Sequence, residues 1–385
     1  MTHFKQRVLG RGAMASALIA ALAAPAFAQD ALNLNVGGRI NIDYTVADVE
    51  NPDADINGSE LRRARISISG DYGDAISFKA ELQTDSGGEI YAEDAYLQFA
   101  PKGLGAKIKV GQHRTTNSLD EQTSSRFTSV VERAALTDAF GLDRRVGVSV
   151  TKSEKNYTAS FGVYGENLEG GAFDSEGYAV SGRGTYNPVN TDEAMVHLGA
   201  SWRYRKAGEN SDPAVSDELL RYRQRPFTHR TNDRIISTSR FASSDNFYGV
   251  EAAYKQGPFW VAGEYSILSA EGGNDNADAD FQGYYGEVGM FFGGSRSYKG
   301  GKFGRPNVDN PITEGGSGAF SLVARYDVLD LEDGVNRGQL DNYIIGADWY
   351  PTRNTRFAVN AFIADATDGA ADKASGIVSR MYFDF

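Results

Sequence analysis

Val36-Gly-Gly-Arg-Ile-Asn-Ile-Asp-Tyr-Thr-Val46 is two sequences interleaved. Val36, Gly38, Ile40, Ile42, Tyr44 and Val46 take the even positions. Gly37, Arg39, Asn41, Asp43 and Thr45 take the odd ones. Side chains alternate faces along a strand, so this ribbon has one apolar side and one wet side. A soluble sandwich uses such a strand singly. This chain repeats the pattern more than a dozen times, which predicts a membrane barrel around a watery interior.

Working outward, strands are expected at 36–46, 60–72, 74–83, 92–100, 104–113, 144–153, 156–165 and 176–187, then at 193–205, 246–256, 258–269, 280–292, 318–329, 340–350, 354–364 and 375–385. Most have the length of a tilted membrane strand. They make an all-β, 16-stranded antiparallel transmembrane β-barrel. The links support the count, because short ones at 72–74, 101–103, 153–155, 188–191, 256–258 and 350–354 alternate with longer ones. Turns of that kind face the periplasm and the longer loops face outside. The phase also settles Arg234–Arg240, which would make the count odd as a strand, so 206–245 is assigned to one external loop. Gly293–Ser317 breaks the phase, being long on the periplasmic side, and the lumen is where it would go.

Before the first strand, Lys5, Arg7 and Arg11 precede an apolar run at Ala13–Ala24 and the small-x-small site Ala26-Phe27-Ala28. This predicts a cleaved signal peptide over 1–28 and a barrel domain over 29–385. Beyond it, no apolar run approaches the roughly 20 residues of a membrane helix, so a membrane crossing requires a closed barrel. The formal net charge is −12 with no cysteine. An acidic chain argues against nucleic acid as a partner. At the other end, Met381, Phe383 and Phe385 share a face opposite Arg380, Tyr382 and Asp384, like the aromatic terminal strand by which outer-membrane barrels are recognised for assembly. Trp202, Trp260, Trp349, Tyr204, Tyr254 and Tyr265 are expected in girdles at the membrane interfaces.

Enzyme motifs are missing: no phosphate loop, no HExxH, no GxSxG. His113, His197 and His229 are isolated, and Asp275–Asp280 lacks the glycine and distal glutamate of an EF-hand, so no metal or other cofactor is expected. The basic residues carry the signal instead. Arg63, Arg65, Lys79, Lys107, Lys109, Arg145, Arg203 and Arg205 all take the inward parity of their strands, and Arg145 is counted among the candidates for an anion path. Part of this parity is forced, since a charge on the lipid face costs roughly 2–4 kcal/mol at mid-bilayer. Asp43, Glu81, Glu264, Glu287, Asp327 and Asp348 are inward too, so the wall is mixed. Arg62 falls on the lipid parity and is expected near an interface.

Two loops add to this. The 206–245 loop holds Arg221, Arg223, Arg225, Arg230, Arg234 and Arg240. The first three alternate, so an extended segment aims them one way. Guanidinium groups match oxyanions with paired donors and replace an anion's hydration stepwise. Loop 114–143 holds Arg114, Ser124, Ser125, Arg126 and Arg133 and would narrow the lumen if folded inward. The competing reading of both loops is a charged surface binding lipopolysaccharide phosphates.

Several segments resemble the phosphate-selective porin O and P family of Gram-negative outer membranes. They are LRRARISISG at 61–70, VGQHRTTNSLDEQTSSRF at 110–127 with VER at 131–133, DRRVGV at 143–148, YRQRPFTH at 222–229, FYGVEAAYKQGPF at 247–259, SRSYKGGKFGR at 295–305, ARYDVLDLEDG from 324, and NYIIGADWYP to 351. The resemblance implies a homotrimer in the outer membrane, with the third and fifth external loops and one long turn folded inward. It implies an arginine ladder of Arg39, Arg62, Arg63, Arg221, Arg223 and Arg225, and constriction roles for Ser124, Ser125, Arg126 and Arg133. Phosphate-specific members carry lysines in the third loop, and this chain has none between Lys109 and Lys152. Anion preference is therefore implied more firmly than phosphate preference. The expected function is an outer-membrane, anion-preferring diffusion channel for phosphate or other small oxyanions. The alternatives are a porin for other solutes and a non-conducting barrel serving as anchor or receptor.

Overall fold

The computed structural model describes residues 32–50, 55–169, 175–209, 219–335 and 338–385. The expected signal peptide lies outside them. Sixteen strands close into one antiparallel barrel. They are β1 Leu32–Val49, β2 Ile56–Tyr72, β3 Ile76–Thr84, β4 Ile90–Phe99, β5 Lys107–Arg114, β6 Arg144–Ser153, β7 Tyr157–Tyr164 and β8 Tyr178–Asn190. Then follow β9 Ala194–Lys206, β10 Ala242–Gln256, β11 Phe259–Gly272, β12 Ala279–Phe292, β13 Ala319–Asp330, β14 Gln339–Thr352, β15 Thr355–Thr367 and β16 Lys373–Asp384. Every expected strand is present, with ends shifted by a few residues. Arg234–Arg240 stays out of the wall: Ile236–Ser237 pairs with Arg223–Gln224 in a separate two-residue ribbon.

The seam joins β1 to β16, with Arg39 opposite Asp384. Beyond it, Gly38 and Phe385 exchange backbone hydrogen bonds of 3.1 Å. A Cβ at Gly38 would lie 2.7 Å from the Phe385 ring, so a side chain there would push the terminal ring aside. On the outer face Val36, Ile40, Ile42, Tyr44 and Val46 are exposed while Arg39, Asn41, Asp43 and Thr45 are buried. Outward aromatics stack as Phe320–Trp349–Phe357 and as Tyr326–Tyr343, with Tyr284 meeting Tyr326 edge-on, in keeping with interfacial girdles. Trp260 corrects the expectation made for it. It points inward, 1% exposed, with its indole N–H donating to Glu287.

A second correction concerns Arg62. Asn41 pairs with Arg63 but Ile42 pairs with Leu61, so Arg62 is the extra residue of a β-bulge. A bulge resets the alternation, and Arg62 and Arg63 both reach the interior rather than one of them meeting lipid. A similar irregularity at Ala80/Leu82 sets Glu93 and Asp94 of β4 against Glu81 alone on β3.

Three segments fold into the bore. Loop 115–143 has no ladder of its own across the lumen, so wall side chains satisfy its backbone. Glu264 accepts from the Leu119 and Asp120 N–H groups at 2.9 and 2.6 Å, Asn360 from Val131 at 2.8 Å, and Asp327 from Ala135 at 2.8 Å. Its short helices are α1 Leu119–Gln122 and α2 Ala135–Phe140. Turn 293–318 enters from the other end. There Arg296 binds Glu287 and the Phe127 carbonyl, each at 2.9 Å, and Arg183 donates to the Gly301 carbonyl at 2.6 Å. The third segment, 219–241, packs on the wall, with Phe227 against Phe362 and Thr228 bonded to Thr45.

Candidate functional site

The inward loops leave a row of cavities along β1 to β6. The one nearest the loop end is narrow, about 20 Å³, and is lined by Arg62, Glu132, Arg133, Asp138, Arg225 and His229 among others. The next, about 130 Å³, shares Arg62, Glu132, Arg133 and Asp138 with it and adds Arg63, Arg65 and Ser125. A chamber of about 570 Å³ follows toward the turn end, where Arg39, Arg126, Lys79, Lys109 and Lys302 meet Ser124 and Ser125. Adjacent cavities share walls, and the register of β1 against β2 orders them along the axis.

The guanidiniums on this path fall into two groups. Arg62 grips Glu132 through two bonds of 3.1 Å, and Arg65 pairs with Glu81 at 3.0 Å and with Glu93. Arg126 pairs with Asp384 at 3.0 Å, and Arg133 binds the Asp120 and Thr123 carbonyls. The other group lacks carboxylates. Arg39 donates to the Ser125 hydroxyl at 3.0 Å. Among the described residues, Arg63, Arg221 and Arg223 have no ion-pair partner. Arg225 donates to the Thr231 carbonyl at 2.9 Å. In the ribbon, Tyr222 and Gln224 turn into the packed interior while Arg221, Arg223 and Arg225 stay half-buried on the opposite side. Burial thus alternates along this segment as in an extended strand.

The family model for phosphate-selective porin O and P matches residues 34–385. The chain belongs to this family. It is 33% identical over 360 residues to an uncharacterised protein of Caulobacter vibrioides, covering 89% of this chain and 70% of that one. It is 26% identical over 411 residues to porin O of Pseudomonas aeruginosa, covering 92% and 88% respectively. In fold it is similar to the anion-selective porin from Comamonas acidovorans, with a TM-score of 0.59, 11% identity, and 92% and 100% coverage. Family and fold together support an outer-membrane channel and point away from an enzyme.

Of the site residues named from the porin's sequence, Arg39, Arg62, Arg63, Ser124, Ser125, Arg126, Arg133 and Arg225 line the cavities. Arg221 and Arg223 stand beside Arg225 toward the loop end. Arg145 is not among the residues lining the path. It pairs with Glu166 in the loop after β7. Its neighbour Arg144 lines the path instead, bound to Glu93, Asp94 and Asp143. Parity at the very start of a strand could not have chosen between the two.

Charge shapes the loops as well. Burial favours protonation of Glu132, yet Arg62 and Arg380 hold its carboxyl well below the usual range. Burial, with Arg221 and Arg225 close by, lowers Arg223, and Arg234 is lowered to about 10 by burial, Arg225 and Arg223. Cations crowded in this way signal surplus positive charge. Sequence reasoning did not place Arg65, Lys79, Lys109 or Lys302 in the site. The first three were legible as inward residues, whereas Lys302 comes from a turn whose path only the fold reveals.

Proposed function

We propose that this porin is a water-filled, anion-preferring diffusion channel of the outer membrane, passing phosphate or other small oxyanions. The observation that carries this reading is the row of guanidiniums without carboxylate partners, from Arg221, Arg223 and Arg225 past Arg63 to Arg39. Each offers an anion a weak site and no final one, which lets it exchange hydration for N–H donors step by step. The narrow opening at Arg62 and Arg133 favours small ions over sugars. Export through the 1–28 leader, a homotrimeric assembly and contact with lipopolysaccharide belong to the same proposal.

The test is the reversal potential of the purified channel in a salt gradient across a planar bilayer. The wild type is expected to prefer anions, and phosphate is expected to block chloride current. Replacing Arg221, Arg223 and Arg225 together by alanine should lower the anion-to-cation permeability ratio about tenfold, as loss of several like charges from one narrow bore would. An unchanged ratio rejects the ladder. A wild-type conductance near zero would favour the plugged, non-conducting barrel.

A further inference from the structure

Resting on that anion-channel reading, we infer that Asp138 is a specificity-determining residue, a tethered carboxylate that weakens the field of the loop-end arginines and disfavours divalent permeant anions.

Asp138 sits on α2. Ala135, Leu136 and Phe140 of that helix are buried in the luminal core, and the Ala135 N–H is held by Asp327 at 2.8 Å. The helix is thus fixed, and Asp138 is its exposed residue. It lines both cavities of the loop-end path. The other carboxylates there are engaged. Glu132 binds Arg62 at 3.1 Å and Arg380 at 2.6 Å, Glu121 binds Arg114 at 3.0 Å, and Asp143 binds Arg114 and Arg144 at 3.1 Å each. Asp138 alone among these lining acids has no ion pair within 4.0 Å among the described residues. Its charge nevertheless acts on Arg223, Arg225 and Arg234.

A carboxylate facing guanidiniums beyond contact distance neutralises part of their field without occupying their donors. An arriving anion still finds free N–H groups but a shallower well, so it leaves sooner. The repulsion from Asp138 scales with the visitor's charge, so a dianion is penalised about twice as much as a monoanion. The residue therefore trades affinity for throughput and tilts the bore toward monovalent anions.

The experiment compares full-length wild type, D138N, D138S and D138E in planar bilayers, each first shown to be folded by heat-modifiable electrophoretic mobility. Sulfate is the divalent probe and nitrate the monovalent one. In D138N and D138S the concentration of sulfate giving half-block should fall about tenfold and that of nitrate about threefold, given Coulomb coupling weakened by salt. D138E should match wild type. The inference is overturned if both neutral variants match wild type, or if sulfate and nitrate shift equally, as a merely structural helix residue would allow. A wild type without anion preference removes the parent reading by itself. A sulfate-over-nitrate shift on neutralising Asp138 would even then support its role.

Discussion

The bore has two halves built on opposite principles. On the β10 to β16 side, Val130, Val131, Leu136 and Phe140 of the third loop and Tyr222, Phe227, Ile235, Ile236 and Phe241 of the fifth pack against inward Phe247, Leu268, Phe281, Leu340, Ile344 and Phe362. That is a hydrophobic core inside a membrane barrel. The wall arginines there are matched: Arg325 with Glu287 at 2.7 Å, Arg356 with Asp348 at 2.8 Å, and Arg380 with Asp43 of the adjoining β1 at 2.6 Å. On the β1 to β6 side the interior is polar and open, and several cations, Arg39 and Arg63 among them, lack carboxylate partners among the described residues. One half is closed by pairing its charges. The other suits conduction because several groups are left to water and to the passing ion. The same residue type, arginine, is structural where paired and available where not.

The largest expected effect tests that division directly. Glu287 is bound by Arg325 at 2.7 Å and Arg296 at 2.9 Å, and it also receives the Trp260 N–H and the Ser129 hydroxyl. Glu287→Ala would strand two buried guanidiniums, and breaking a buried pair from one side costs about 3–5 kcal/mol. Urea unfolding followed by tryptophan fluorescence should show a loss of that size. Arg63→Ala removes a cation without a carboxylate partner, so its stability should stay within about 1 kcal/mol of wild type. Its anion preference should nevertheless drop. If Arg63→Ala were the more destabilising change, the two halves would not differ as described.

The same division explains what could be read from the sequence. The β1 alternation was legible because its two faces differ in polarity, and the loop–turn phase followed from link lengths alone. Arg221, Arg223 and Arg225 were legible because alternation survives in any extended segment. Trp260 was misplaced because its position near a strand end suggested an interfacial girdle, although it shares parity with inward Glu264, and the filled half has apolar residues on both faces, as at Ile344 and Ile345. Arg62 was misplaced because a bulge leaves no signature in composition. Asp138 gave no signal, since a carboxylate stands out only once its neighbours are seen to have other partners.

A middling effect concerns the chamber at the turn end. Lys302 is exposed to the chamber, yet its enclosure within the bore, together with Lys109, Arg114 and Arg183, pushes its ammonium down to about 8, with Asp94 opposing. Below that pH Lys302 is charged and adds to the positive field, and above it the charge is lost. Anion preference should therefore weaken as pH rises from about 7 to about 9, by roughly twofold for one charge in a wide, screened chamber. The Lys302→Arg variant should stay charged throughout and flatten the profile, because a guanidinium does not deprotonate in this range. A wild-type reversal potential that is level across this range would mean that the chamber leaves Lys302 fully solvated.

The smallest effect is expected at Arg145, and its smallness is informative. By parity Arg145 faces inward like Arg63, so a rule based on inward arginines alone predicts equal consequences. Its partner is Glu166 in the loop after β7, and its guanidinium also donates to the Gly165 carbonyl at 3.4 Å. A cation neutralised locally adds little to the field felt in the bore, and a partly exposed pair contributes about 0–1 kcal/mol. Arg145→Ala should therefore leave the reversal potential unchanged and stability nearly so. Should it instead lower anion preference as far as Arg63→Ala does, inward direction rather than lack of a partner would be what makes an arginine part of the path.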